Sequence, residues 1–525
     1  MNKKAWLKNA VFYEIYPTSF KDGNGDGIGD FAGIKEKLPY ISAMGFSAIW
    51  LNACFESPFR DGGYDVSDYY KIDPKFGSEN DFDEFVKDCK KLGIHVIMDL
   101  VIGHTSDQHP WFQKSSRAET NAFSDYYIWT DSGLKFGGGN LRTICGVAER
   151  DGGYVINYFA TQPALNFGFE QVTEPWQMHY KDERLKPLRK EIVNIMRYWL
   201  SKGIDGFRCD LASSLVKNSK TGEGINWLWR QLISEIKKEY PEAVFIAEWC
   251  NPIRSVKGAG FDVDFILHEN KWYNDLFRNE KGNNLFPELE QGDNYFSENG
   301  KGSILDFLRH NEEIENEING FGYYSVPSGN HDLIRLGSNC SEEELKVVFS
   351  FLLTFKHIPF IYYGDEIGMK FLRGLKSKDG GYIRTGSRTP MRWDDQEKNK
   401  GFSTSDNTYL PINLQENLSV TAQQKDENSL LNTVKSLIAI RKSHQCLNAE
   451  SVFEVISAEN QGYPLVYRRK NESESIVIAL NPSADFKIIE INNVEKVLVV
   501  LNTDIDEKKA VLKGCSVLIY TEIVK

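Results

Sequence analysis

The sequence predicts a (β/α)8 barrel, the TIM-barrel architecture, interrupted by an inserted domain and followed by a small antiparallel β-domain. Three observations carry this. Apolar runs of strand length alternate with amphipathic helical stretches about eight times, a pattern that builds a parallel sheet covered by helices. Residues 104–175, after the third strand, are aromatic, glycine-rich and irregular. From about residue 450 the helices stop and short strands follow one another. The predicted boundaries are 1–103 and 176–449 for the two parts of the barrel, 104–175 for the insert and 450–525 for the C-terminal domain.

Residues 11–16 read as the first strand. Asp22-Gly-Asn24-Gly-Asp26-Gly-Ile28-Gly-Asp30 follows it. With Asp22 as position 1, side-chain oxygens fall at positions 1, 3, 5 and 9, Gly27 takes position 6 and the Ile28 carbonyl position 7. These are most of the features of an EF-hand loop, but position 12 is Gly33 in place of the bidentate Glu. The loop predicts a single structural metal site made by Asp22, Asn24, Asp26, Ile28 and Asp30, for Ca2+ or, as the alternative, Mg2+. No flanking helix pair accompanies it, which argues against a calcium sensor.

Helix 34–44, strand 48–51, helix 79–92 and strand 95–100 come next. After the insert the pattern resumes with helix 187–202, strand 204–209, helix 226–239 and strands 244–247 and 263–267. Helix 303–314, strand 322–326, helix 342–355, strand 358–363 and helix 429–443 complete it. Gly203 closes helix 187–202 as a C-terminal glycine does. Residues 364–428 are a second irregular stretch, after the eighth strand. Both irregular stretches belong on the C-terminal face of the barrel, where active sites are built. Strands at 462–467, 475–480, 497–501 and 516–520 make the C-terminal domain.

A net charge of -12, from 62 basic and 74 acidic residues, argues against a nucleic-acid partner. No run of 18 apolar residues occurs, so no membrane span is expected. The basic start, Met1-Asn2-Lys3-Lys4-Ala5-Trp6, lacks the apolar core of a signal peptide. The eight cysteines are scattered and form no CxxC. Both features predict a cytoplasmic protein with reduced thiols. A monomer or weak homo-oligomer is expected. The 11 Trp and 24 Tyr suit stacking on flat sugar faces as well as core packing.

Gly206-Phe-Arg208-Cys-Asp210 ends the fourth strand. Strand alternation puts Arg208 and Asp210 on one face. The guanidinium is expected to lower the pKa of Asp210 and hold it ionised. Glu248 ends the fifth strand between Ala247 and Trp249, a partly apolar setting suited to an acid. Asp332 follows the seventh strand in Asn330-His331-Asp332. Singly, each is an acidic loop residue. Converging on one barrel mouth with Arg208, His331 and His104, they supply the ionised and protonated carboxyls that glycosidic bond cleavage uses.

Asp99-Leu-Val-Ile-Gly-His104, Gly206-Phe-Arg-Cys-Asp210, Ala247-Glu248-Trp249 and Asn330-His-Asp332, in that order, resemble the α-amylase family of glycoside hydrolases (glycoside hydrolase family 13). The resemblance covers essentially the whole chain and is strongest to the α-glucosidase branch. It implies a barrel with a domain inserted after strand three and a C-terminal β-sandwich. It implies Asp210 as nucleophile, Glu248 as general acid/base, and Asp332 as the stabiliser that grips sugar hydroxyls. Arg208, His104 and His331 would hold the same sugar ring, with Tyr64 stacked on it. The Asp22–Asp30 loop is similar to the metal loop of oligo-1,6-glucosidases. Asp61-Gly-Gly-Tyr64-Asp65 and Ser387-Arg388-Thr-Pro-Met-Arg392-Trp393-Asp394 resemble that branch too. There, the counterparts of Asp61 and Arg388 pair and close the pocket, which implies exo-action at non-reducing ends. Gln162-Pro-Ala-Leu-Asn166 resembles the family's short motif in the inserted domain, and Phe159 before it is a candidate for sugar stacking. The implied partner is an α-linked gluco-oligosaccharide or disaccharide, hydrolysed with retention by double displacement.

Three positions depart from the family pattern. Gly103 stands where Asn is usual, which bears on a second calcium; Leu211 follows the nucleophile where α-glucosidases carry Val, Ala or Thr, a position associated with linkage choice; Arg392 replaces Gln. The alternatives are a same-family transglucosidase or isomerase (sucrose isomerase, trehalose synthase), an endo-acting α-amylase or neopullulanase-like enzyme, and a non-catalytic barrel relative. Retention of all three carboxylates argues against the last.

Overall fold

The structure is a computed structural model that describes residues 4–134, 141–267, 269–278, 293–414 and 418–523. Eight short parallel strands form its centre: β1 (Phe12–Ile15), β2 (Ala48–Leu51), β3 (His95–Leu100), β4 (Gly206–Cys209), β5 (Val244–Ala247), β6 (Val263–Phe265), β7 (Tyr323–Ser325) and β8 (Phe360–Tyr362). Neighbours pair in sequence order from β1 to β7, and β8 pairs back onto β1. Between β7 and β8 two backbone bonds complete the ring: Ile358 N to Tyr324 O at 3.1 Å and Ser328 N to Phe360 O at 3.0 Å. Gly206 is required where β4 meets β5. A Cβ there would lie 2.0 Å from the Val244 carbonyl oxygen, so any side chain would spread the two strands that carry Asp210 and Glu248.

The covering helices are α1 (Phe31–Met44), α2 (Glu79–Lys91), α3 (Lys186–Ser201), α4 (Glu223–Glu239), α5 (Lys271–Phe277), α6 (Leu305–Ile318), α7 (Glu342–Thr354) and α8 (Leu430–Ser443). Helix α2 starts with a capping box, Ser78 with Asp81, and buries Phe82, Phe85, Val86 and Cys89 along one stripe. Helix α7 has the same cap, Ser341 with Glu344, but is buried all round from Glu344 to Thr354, because the barrel lies on one side and the C-terminal sheet on the other. Between β5 and β6 the connection is a π-helix, Ile253–Ala259, in place of a full covering helix.

The insert carries a short helix, Pro110–Ser115, and a hairpin, Thr143–Cys145 with Gly153–Val155; residues 135–140 of it lie outside the described residues. Single bridges from His104 to Ala164 and from Tyr127 to Leu165 pin it to the barrel rim. The stretch after β8 holds three 3-10 turns, Asp365–Ile367, Tyr382–Ser387 and Lys398–Gly401. The C-terminal strands β9 (Val452–Ser457), β10 (Leu465–Lys470), β11 (Ser475–Asn481), β12 (Lys487–Glu490), β13 (Val494–Asp506) and β14 (Lys509–Glu522) form one antiparallel sheet. Strand β14 pairs with β12 through 509–512 and with β11 through 516–522, and Cys515 between them has φ 49°. That break folds the sheet over a core of Val466, Val477, Ala479, Leu512, Leu518 and Tyr520. No helix among the described residues is long and apolar enough to cross a membrane.

Candidate active site

Asp210 and Glu248 leave the C-terminal ends of β4 and β5 side by side, joined through Arg208. The buried guanidinium gives Nη1 to Asp210 Oδ1 at 2.9 Å and Nη2 to Glu248 Oε1 at 2.8 Å, and Nη1 also lies 3.3 Å from Asp99 Oδ1 on β3. Its flat face lies 5.1 Å over the Trp50 ring, whose N–H donates to Asp99 at 2.8 Å. One cation thus serves three carboxylates. Arg208 pulls the Asp210 pKa down as expected, but the net shift is upward, which corrects the expectation of a low value. Burial and then the charge of Glu248 push the Asp210 carboxyl well above the usual range, against the pull of Arg208. Burial raises Asp99 in the same way.

Leu211, next after Asp210, holds a left-handed backbone with φ 43°, a conformation that costs a non-glycine residue roughly 1–2 kcal/mol. The turn aims its N–H at Glu248 Oε2, 2.8 Å away, while Ala212 N–H donates to the Glu248 carbonyl at 3.0 Å. The strain is spent on coupling the two catalytic candidates. Behind Glu248, buried Asp264 on β6 accepts from Trp249 N (3.0 Å), Asn251 N (2.9 Å) and Ser255 Oγ (2.7 Å), so it braces the loop that bears Glu248. Burial pushes its pKa up to about 7.

Asp332 sits across the mouth. Its Oδ1 accepts from Arg388 at 2.7 Å and Arg384 at 2.8 Å, and its Oδ2 lies 3.4 Å from His331 Nε2. Burial raises the Asp332 carboxyl, but His331, Arg384 and Arg388 outweigh it and hold it well below the usual range. His331 is itself pushed well below its ordinary value by burial, so the two guanidiniums are the charges that keep Asp332 ionised.

Tyr64 is stacked on His331, with ring centroids 5.1 Å apart and planes 6° apart, and its hydroxyl donates to Asp99 Oδ2 at 2.5 Å. His104 has both ring nitrogens engaged. Nε2 donates to the Tyr64 carbonyl at 2.9 Å, which leaves Nδ1 to accept from Asn157 Nδ2 at 3.1 Å. Burial pushes its pKa down to about 4. The ring ties the insert to the barrel. Gly103 now has a physical reason: a Cβ there would meet Asn157 Nδ2 at 2.8 Å, so the insert's own amide takes the space of a side chain. Lys217 donates to the same Asn157 at 3.2 Å and to the Ser214 carbonyl at 2.7 Å. Its pKa is pushed down by burial to about 8.

Asp61 and Arg388 do not pair as expected. Asp61 Oδ1 pairs with Arg384 at 3.2 Å and its Oδ2 accepts from Gln162 at 2.7 Å, while Arg388 turns to Asp332 and to the His331 carbonyl at 3.0 Å. Burial raises the Asp61 carboxyl, with Arg384 and Arg388 opposing. Arg384 therefore spans Asp61 and Asp332, and sequence reasoning missed it. Above it, Phe159 of the insert stacks on Tyr382, centroids 5.4 Å apart, so the two irregular stretches meet over the mouth. Arg392 is buried and pairs with Asp395.

The Asp22–Asp30 loop is closed by its own side chains. Asp22 accepts from Gly25 N and Gly27 N, both at 2.7 Å, and from Ser403 Oγ at 2.5 Å. Asn24 accepts from Asp26 N (2.9 Å), Asp26 from Ile28 N (2.8 Å), and Asp30 caps α1 by accepting from Gly33 N (2.7 Å). Among the described residues no group of three or more His, Cys, Asp or Glu side chains is set to hold a metal. The donors are nonetheless hard oxygens with lone pairs beyond their amide bonds, the class that suits Ca2+ and Mg2+.

The chain matches the family described as Alpha-amylase (alpha amylase, catalytic domain) over residues 14–450. It is similar to an oligo-1,6-glucosidase of Parageobacillus thermoglucosidasius, 30% identical over 562 residues and covering 96% of each chain. A trehalose synthase/amylase of Mycolicibacterium smegmatis is 30% identical, covering 87% of this chain and 79% of its own. Among solved structures, a mutant isomaltulose synthase from Erwinia rhapontici NX5 in complex with D-glucose superposes with a TM-score of 0.80 at 25% identity, covering 99% of both chains. With three carboxylates at barrel strand ends and a match across the whole barrel, the chain belongs to the α-amylase family and is a glycoside hydrolase.

Proposed function

We propose that the enzyme is a retaining, exo-acting α-glucosidase for short α-linked gluco-oligosaccharides or disaccharides of the maltose or isomaltose type. The observation that carries this is the closure of the mouth. Arg384 ties Asp61 to Asp332, and Phe159 stacks on Tyr382 above them. A continuous groove, as an endo-acting enzyme needs, would run where these contacts lie. Glu248 gives its proton to the leaving oxygen while Asp210 attacks the anomeric carbon; Glu248 then takes a proton from water, which releases the sugar from Asp210. Asp332, kept anionic by Arg384 and Arg388, accepts from sugar hydroxyls, with Tyr64 and His331 as one wall.

A second reading is a same-family isomerase or transglucosidase. A closed pocket also retains the departing sugar, and the trehalose synthase/amylase and isomaltulose synthase similarities favour it. Incubation with maltose, isomaltose, sucrose and trehalose separates the two. Glucose as the main product supports hydrolysis; new disaccharides at constant total disaccharide overturn it. Arg384→Ala is expected to raise KM for disaccharides about tenfold, a loss of about 1.4 kcal/mol, and to raise relative activity on long α-glucans. Unchanged values for both would remove Arg384 from the pocket's closure.

The Asp22–Asp30 loop is assigned to Ca2+, with Mg2+ as the alternative. Bound Ca2+ would tie the start of α1 to residues 403–409, whose Tyr409 N donates to the Gly27 carbonyl at 2.9 Å. At Ca2+ a hundredfold above its Kd, stability should rise by about 2.7 kcal/mol. Thermal unfolding in EDTA and in added Ca2+ or Mg2+ checks this, and identical Tm values in all three would refute the site. The cytoplasmic assignment is supported by the eight scattered cysteines, which form no CxxC.

A further inference from the structure

Glu14 lies on β1 directly beneath His331 and has no exposure to solvent. Its Oε1 is 3.0 Å from His331 Nδ1, 3.1 Å from Asn52 Nδ2 and 3.4 Å from the His331 backbone N. Its Oε2 is buried without a hydrogen-bond partner. Among the described residues no lysine or arginine lies within ion-pair distance; Arg208, the nearby cation, is engaged by Asp99, Asp210 and Glu248. A carboxylate anion with one bare oxygen and no cation is costly in a dry interior. A neutral carboxyl avoids that cost but must place one proton on an acceptor. Asn52 Nδ2 and the His331 amide are donors, so His331 Nδ1 is the acceptor left at hydrogen-bond distance.

We propose that Glu14 works as a protonated carboxyl whose O–H donates to His331 Nδ1, fixing the ring in its Nε2–H tautomer and presenting that N–H toward Asp332 and the sugar held there. Asn52 Nδ2 also lies 3.0 Å from His331 Nδ1, but with the Glu14 O–H donating to that nitrogen its two N–H groups go to Glu14 Oε1 and to the Tyr64 hydroxyl, 3.3 Å away. Glu14 is a positioning residue, and the proposal rests on the α-glucosidase reading only for what the oriented N–H binds. The groups that face Glu14 are Asn52 and Tyr64 after β2, Asp99 on β3, Arg208 on β4, His331 after β7 and Tyr362 on β8. Burial, with Asp99 adding to it, pushes the Glu14 carboxyl well above its usual range against Asn52, Arg208 and the His331 amide. Burial together with Arg388, Arg208 and Arg384 keeps His331 neutral.

The test compares the wild type with Glu14→Gln, whose amide N–H can replace the acid proton, and Glu14→Leu, which has no donor. Infrared difference spectra should show the carbonyl band of a protonated carboxyl at neutral pH that is lost in Glu14→Gln. Nitrogen-15 spectra of the histidines, with His331 assigned through His331→Asn, should show the Nε2–H form in wild type and Glu14→Gln. In Glu14→Leu that form should give way to a mixture. Glu14→Gln should keep kcat/KM within about threefold and extend activity to higher pH, while Glu14→Leu loses about tenfold or more. Absence of the band, or a His331 tautomer unchanged in Glu14→Leu, would overturn the proposal. So would equal loss of activity in Glu14→Gln and Glu14→Leu. The two spectroscopic readouts need no substrate, so they still decide the matter if the α-glucosidase reading fails.

Discussion

Asp210→Asn should lose on the order of 10^4- to 10^6-fold in kcat, as nucleophile removal does elsewhere, while its Tm at neutral pH stays equal or rises. The second half of that expectation comes from the crowding of the site. Folded Asp210 holds its proton more tightly than the unfolded chain does, because burial and Glu248 disfavour its charge. Above the unfolded pKa such a group destabilises the fold, and the loss grows until pH passes the folded value. Asparagine removes the charge but keeps the shape. Turnover assays beside thermal unfolding test both halves. Substantial residual activity would unseat Asp210 as nucleophile, and a large fall in Tm would mean that its charge is structural.

Removing Arg208 should do the reverse and damage both stability and activity. Arg208→Ala leaves Asp99, Asp210 and Glu248 without their shared cation, and breaking a buried pair in this way costs about 3–5 kcal/mol. The deficit has a predicted pH dependence. With the guanidinium gone, Asp99 and Asp210 rise further in the folded state, so the folded protein binds protons more tightly than the unfolded chain. The deficit is then largest above the raised folded values and shrinks as pH falls toward the unfolded carboxylate pKa. Urea unfolding at several pH values measures it. A deficit independent of pH would show that packing of the guanidinium on Trp50, and not charge, is what the substitution removes.

The barrel was legible because its strands are short apolar runs set between helices with capping residues, and because Asp210 and Glu248 sit at the ends of such runs. What escaped the sequence is contact across the barrel. Arg384 reaches Asp61 over 323 positions of chain, and Glu14 reaches His331 over 317. Local pattern carries no trace of either. The Asp210 pKa was misjudged for the same reason. The sequence shows Arg208 two residues away, but not that Asp99 and Glu248 converge on the same guanidinium. Asn157 explains Gly103 only once the insert is folded down. Leu211 contributes through its backbone, and side-chain comparison cannot register that.

In the proposed double displacement, Asp210 and Glu248, on two arms of one arginine, work as nucleophile and acid/base. The direct measurement is the anomer of glucose released first from an α-linked disaccharide, followed by proton NMR before mutarotation equilibrates it. α-Glucose is expected at the earliest times, with the β-anomer growing in later. β-Glucose as the first product would mean inversion by a single water attack, and would contradict double displacement.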